Sequence, residues 1–185
     1  MTRRRIFLYA SIALLCILLC SFIGYAVATG NFHVVTPGEA YRSAQLDQSQ
    51  LDYYIGRYRI RSILNLRGKH PEAPWYTDEV RFSGTHKIAH YDIAMSATRE
   101  PTATEISSLM RVFAQAPRPI LIHCYAGADR SGLASAIWKV VVDHQTKANA
   151  RQQLSILYGH IPLGKTAAMD SFFEQWSPAR DEIIP

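Results

Sequence analysis

The chain has 185 residues, 48% of them hydrophobic, which is enough to bury one substantial core and short for two. The formal charge of +5 falls to +2 (17 basic against 15 acidic side chains) once residues 1–28 are set apart. No basic run with interleaved aromatics follows, so composition argues against a nucleic-acid or other polyanion-binding role. Cys16 and Cys20 lie in the apolar N-terminal run, and Cys124 stands alone in the rest of the chain, so no internal disulfide framework is available there.

TRRR precedes an uncharged apolar run from Ile6 to Ala28. Residues 1–28 are therefore expected to be a membrane anchor or a signal peptide, with Ala26-Val27-Ala28 as the cleavage pattern. In either case the basic flank is expected to send Thr29–Pro185 across the membrane to the exported, periplasmic side. Residues 29–37, with GNFHVVTP, read as a tether with room for a first strand, and residues 38–185 as the folded domain. YRSAQ suits a further strand. Leu51, Tyr54, Ile55 and Tyr58 share one helical face, which predicts a helix over Asp47–Tyr58. Ile60–Leu66 reads as a buried strand ending at Arg67-Gly68, Pro74–Phe82 as a short helix, and Lys87–Tyr91 as a strand stopping at Asp92. Thr102 and Glu105 form a capping box opening a helix to about Ala114. Ile120–His123 is a third buried strand. Helices are expected from Ser131 to about Asp143, over Lys147–Tyr158 and over Lys165–Trp176.

Strands alternating with helices predict an α/β fold with a central, mostly parallel sheet flanked by helices. Parallel strands joined by right-handed crossovers bring their C-terminal ends to one rim, so Arg67, Asp92 and Cys124 should share it. Arg67 is expected to pair with a scaffold acid. The other histidines, His33, His70, His86, His90, His144 and His160, show no ligand spacing and read as solvated or satisfied. Trp75, Trp138 and Trp176 read as core or rim packing.

The chemistry concentrates in HCYAGADRSG. Tyr125, Ala126, Gly127, Ala128 and Asp129 separate Cys124 from Arg130, and a helix follows. A loop of this length curls its amides inward, and the helix N-terminus adds its own N–H groups and partial positive charge. Arg130 offers a planar bidentate fork to two further oxygens of a tetrahedral dianion. The same field stabilises a thiolate at Cys124, an in-line nucleophile for phosphoryl transfer to sulfur followed by hydrolysis. Asp92 is the expected proton donor, Ser131 a hydrogen-bond donor to the sulfur, and His123 a tie between strand and loop. Asp129 reads as structural, orienting Arg130 or capping the helix, with a competing role as acid. No Gly-Lys-Ser/Thr sequence or acidic metal cluster accompanies the loop, so neither metal nor cofactor is implied.

The loop resembles the Cys-x5-Arg signature of the protein tyrosine phosphatase superfamily. Together with YRSAQ, ILNLRG and the short domain, it resembles the compact dual-specificity branch of exported bacterial type, over roughly Phe32 to Trp176. That resemblance implies Cys124 as nucleophile, Arg130 as phosphate clamp, Asp92 as general acid, and a phosphorylated protein as substrate, phosphotyrosine first. Loops with an acid before the arginine are similar to those of some bacterial phosphatases that also take phosphoinositides. No basic residue lies within the five loop positions, which weighs against a highly charged inositol phosphate. A rhodanese-like sulfurtransferase and a non-catalytic phosphate-binding module are the rival readings. The first leaves Asp92 without a purpose, and the second leaves both Asp92 and Cys124 without one.

Overall fold

In the computed structural model of the chain, which describes residues 3–179 together with 183 and 184, the apolar run forms one helix, α1 (Arg3–Ala28). Met1, Thr2 and the side chains of Arg3 and Arg5 in the basic flank, and Pro185 at the end of the expected domain, lie outside the described residues. Within α1, Tyr9–Ala28 is long and apolar enough to cross a bilayer.

Beyond α1, β1 (His33–Thr36), β2 (Ala40–Ser43), β3 (Ser62–Asn65), β4 (Ala89–Asp92) and β5 (Ile120–His123) form one sheet in the order β1-β2-β5-β3-β4. β1 runs antiparallel to β2 and every other pair is parallel, which is the mostly parallel α/β sheet expected. β1 lies inside the segment read as a tether, with Val35 buried, so that segment is part of the sheet.

The crossovers are α2 (Gln48–Tyr58), α3 (Pro74–Thr85) and α4 (Ala103–Gln115), with α5 (Asp129–Val141) following β5. Alternation along each strand feeds two cores, one on each face of the sheet. Ile63 and Leu121 pack with Leu51, Phe82 and Ile88 on the α2/α3 side. Leu64, Ile120 and Ile122 pack with Leu109, Leu133 and Trp138 on the α4/α5 side. Both expected helix starts hold. Asp47 Oδ1 accepts from Gln50 N at 2.8 Å while Gln50 Oε1 accepts from Asp47 N at 3.1 Å, and Thr102 and Glu105 exchange the same pair of bonds.

Three helix limits differ from expectation. α5 starts at Asp129 rather than Ser131, which puts Asp129 and Arg130 in its first turn. The single helix expected over Lys147–Tyr158 is α6 (Lys147–Ala150) followed by two separate 3₁₀ turns, 151–153 and 156–158. It breaks because Arg42 Nη1 takes the Gln153 carbonyl at 2.6 Å, while Ser155 is extended and Gly159 turns left-handed at φ 79°. A 3₁₀ turn over 164–167 likewise precedes α7 (Ala168–Gln175).

Candidate active site

The register aligns Ser43 with His123, His123 with Asn65, and Asn65 with Asp92, so the parallel strands end level along one rim. Cys124 follows β5 directly at that rim. Its side chain is buried, with Sγ 3.5 Å from Ser131 Oγ, the contact expected of a hydroxyl that supports the sulfur.

The loop after Cys124 is shaped by residues that take its carbonyls from outside. Fully buried Arg42 donates through Nη2 to the carbonyls of Gly127 (2.8 Å) and Ala128 (2.9 Å). Asn31 Nδ2 donates to the Ala126 carbonyl at 2.9 Å, and Gln45 N to that of Tyr125 at 3.1 Å. In a planar trans peptide the N–H of the next residue points opposite to the carbonyl, so four outward carbonyls turn the amides of 126–129 inward. Among the described residues, no amide of 125–130 has a protein acceptor. Gly127 has φ 70°, and a Cβ there would lie 2.5 Å from Ala44 N, so only glycine closes the loop this tightly.

Arg130 Nη1 donates to the carbonyls of Leu66 and Met95, each at 3.3 Å, while its Nε is buried with no partner. Buried beside Cys124 and uncommitted to the scaffold, this N–H is a donor available to an anion oxygen over the sulfur. Burial lowers Arg42 to about 10 against the opposing pull of Cys124, Tyr158 and Asp129, and it remains a cation beneath the loop at neutral pH.

The two candidate acids have different partners. Asp92 accepts from Asn65 Nδ2 on Oδ1 (2.8 Å) and from Tyr76 Oη on Oδ2 (2.9 Å), with His90 Nδ1 3.6 Å away. Burial favours its neutral form, but the bonds from His90, Asn65 and Tyr76 outweigh it and hold the carboxyl below its ordinary pKa. Asp129 does not cap α5, whose N-cap is Ala128 without a side-chain bond, and among the described residues its carboxylate makes no hydrogen bond or ion pair with Arg130. Its Oδ1 accepts from His160 Nδ1 at 2.7 Å, and Oδ2 has no partner among the described residues. His160 is fully buried and donates through Nε2 to Asp170 at 2.7 Å; burial opposes its charge, but the two carboxylates raise its pKa.

Glu79 ties the two sides of the rim together. Its Oε1 accepts from His90 Nε2 (2.8 Å) and His123 Nε2 (3.1 Å), and Oε2 from Gln45 Nε2 (2.7 Å). His123 Nδ1 also lies 3.4 Å from the Cys124 carbonyl, the tie between strand and loop that was expected. Burial works against the charge on His90, but Asp92 and Glu79 raise it to about 9. Among the described residues, Arg67 does not pair with an acid. It donates to Gln45 Oε1 at 3.0 Å and lies over Trp75, 3.4 Å from the ring centre, and beside exposed Tyr125 at 5.2 Å.

Sequence reasoning missed Arg42, Glu79, His160 and Asp170. Glu79 left one signal, a charge on the α3 face that also carries Tyr76 and Phe82. The sequence profile described as "PTP-NADK: DSP-PTPase phosphatase fused to NAD+ Kinase" matches residues 32–171. The chain belongs to this dual-specificity phosphatase family. It is 35% identical over 108 residues to the inositol diphosphatase SIW14 of Saccharomyces cerevisiae, a match covering 55% of this chain and 36% of that protein, so it spans about a third of the length of that relative. The dual-specificity phosphatase fold is shared with the Siw14 catalytic core (TM-score 0.65, 21% identity, 82% and 88% of the two chains) and with TpbA of P. aeruginosa (0.63, 22%, 80% and 85%). Membership of a phosphatase family sets aside the sulfurtransferase reading.

Proposed function

We propose that this chain hydrolyses phosphate monoesters through a cysteinyl-phosphate intermediate. The observation that supports this most is the anion cradle over Cys124, with inward amides and the unpaired Arg130 Nε. In the first step the Cys124 thiolate attacks phosphorus, an S–P bond forms, and the P–O bond to the leaving oxygen breaks as that oxygen takes a proton from a carboxyl group. In the second, water attacks phosphorus while its proton returns to the carboxylate, the S–P bond breaks to regenerate the thiolate, and phosphate departs. Ser131 steadies the sulfur as it leaves. Asp129, with one oxygen on His160 and the other free, suits the proton donor; Asp92, with both oxygens taken by scaffold donors, fits a role in holding the rim.

Phosphotyrosine is the first substrate to test, with phosphoserine and phosphothreonine after it. Inositol phosphates are a second reading, favoured by the similarity to an inositol diphosphatase. Purified full chain should turn over p-nitrophenyl phosphate, and Cys124→Ser should abolish turnover while retaining phosphate binding. Absence of wild-type turnover would reject the hydrolase reading. Anchoring by α1 and export of the rest belong to the same proposal. A reporter alkaline phosphatase fused after Pro185 should be active, and an inactive fusion would reject export.

A further inference from the structure

Thr29 to Asn31 follow the apolar helix α1 and carry the chain to the side chain that contacts the catalytic loop, and they are not slack. Tyr54 Oη donates to the Thr29 carbonyl at 2.8 Å and Gln50 Nε2 to that of Ala28 at 3.2 Å, which fixes the exit from α1. Asn31 Nδ2 then grips both the cradle, at the Ala126 carbonyl, and the 156–158 turn, at the Tyr158 carbonyl (3.0 Å). A cavity of about 480 Å³ lies between the two parts, with Phe22, Ile23 and Val27 of α1 on one side and Tyr125, Ala126 and Ala128 of the loop on the other. Gly159 also lines this cavity, and on either side of it in the chain Ile156, Leu157, Ile161 and Leu163 are exposed apolar side chains.

We propose that the face around the catalytic mouth is a bilayer-docking surface that presents the cradle to phosphate monoesters of membrane lipids. The uncharged run Ile6–Ala28 is about 35 Å long at about 1.5 Å per residue, and Tyr9–Ala28 alone covers about 30 Å, the full hydrocarbon thickness, so Ala28 rises no more than about 5 Å above the core. Phe22 and Ile23 then lie about 8 Å below Ala28, and loop residues sharing a cavity with them sit at the headgroup boundary, the depth at which amphipathic surfaces bury apolar side chains. The bilayer is therefore the occupant that covers Leu157, Leu163 and their neighbours. A lipid headgroup phosphate enters the cradle while its glycerol and acyl portion runs between α1 and the loop.

The chemistry rests on the hydrolase reading above, but the docking surface can be read without it. With the full chain in phosphatidylcholine vesicles bearing brominated acyl chains, Leu163→Trp should add emission that the bromines quench, relative to the native tryptophans. Unquenched added emission would overturn the docking surface. In vesicles containing phosphatidic acid, the double variant Leu157→Glu/Leu163→Glu should lose about tenfold or more in lipid hydrolysis, with soluble p-nitrophenyl phosphate turnover unchanged. Equal loss on both substrates, no loss on the lipid, or a wild-type chain that cleaves a soluble phosphotyrosine peptide but not vesicle phosphatidic acid would each overturn the lipid assignment. Failure of the hydrolase reading shows instead as no turnover of the soluble aryl phosphate.

Discussion

Arg130 Nε is unpaired in a buried position, whereas Nη1 is already spent on the Leu66 and Met95 carbonyls. A lysine keeps the charge but loses the fork, so Arg130→Lys should lower kcat/KM by about 10²–10³-fold in steady-state assays, with the fold retained by circular dichroism. The two acids are separated by a leaving-group series. Removing a general acid costs about 10²–10⁴-fold for a poor leaving group and little for an activated aryl phosphate. Asp129→Asn should therefore steepen the dependence of rate on leaving-group pKa. Asp92→Asn, which disturbs Asn65, Tyr76 and His90 together, should lower all substrates alike and reduce stability. If the steepening follows Asp92→Asn instead, Asp92 leaves its scaffold bonds during turnover and is the donor.

The catalytic loop is an element whose shape is imposed from beneath. Arg42 on β2 holds the carbonyls of Gly127 and Ala128 and also the Gln153 carbonyl that would otherwise continue a helix, so one side chain closes the loop and breaks the 147–158 segment. Arg42→Met keeps the volume and removes every bond, leaving the buried Gly127 and Gln153 carbonyls without a donor, while the Ala128 carbonyl keeps its bond from Gly132 N. A loss of about 3–5 kcal/mol in urea denaturation is expected, together with loss of phosphate binding. A stable variant that still binds phosphate would show that the loop holds its own shape. Neighbouring elements are set more locally: the capping boxes fix the starts of α2 and α4 from within four residues.

Across the rim of the molecule, histidines held against carboxylates have raised pKa values, and they predict its pH response. His90, raised to about 9 against burial by Asp92 and Glu79, and His160, raised between Asp129 and Asp170, have folded pKa values above the unfolded value. Their contribution to stability is fully present below about pH 6.5 and is lost as pH rises through the folded values, for His90 through about 9. Asp92, held below its ordinary value against burial by the bonds from His90, Asn65 and Tyr76, acts in the opposite direction, with stability lost as pH falls through its depressed pKa. Thermal unfolding midpoints should thus be highest in mildly acidic buffer and decline between about pH 6.5 and 9. In the double variant His90→Gln/His160→Gln that decline should flatten, and a decline of undiminished slope would place its origin elsewhere.

Features whose cause lies within a few residues were legible in the sequence by itself. The apolar run became α1, short buried apolar runs placed the three central strands and helical spacing the main crossovers, and HCYAGADRSG placed Cys124, the inward-curled loop and Arg130 between β5 and α5. The rim shared by Asp92 and Cys124 followed from topology alone. What only the tertiary structure decided are the partners of buried charges. Arg42 reaches carbonyls 85 and 111 residues away, and His123 meets Glu79 across 44 residues. His160 binds Asp129 across 31. An arginine in a strand or a histidine in a loop looks the same in sequence whether exposed or buried. Its role is fixed by which distant groups desolvate it and satisfy its bonds, and no local pattern encodes that. The adjacency of α1 to the catalytic mouth is of the same kind, because it depends on Asn31 finding the Ala126 and Tyr158 carbonyls only after the sheet has formed.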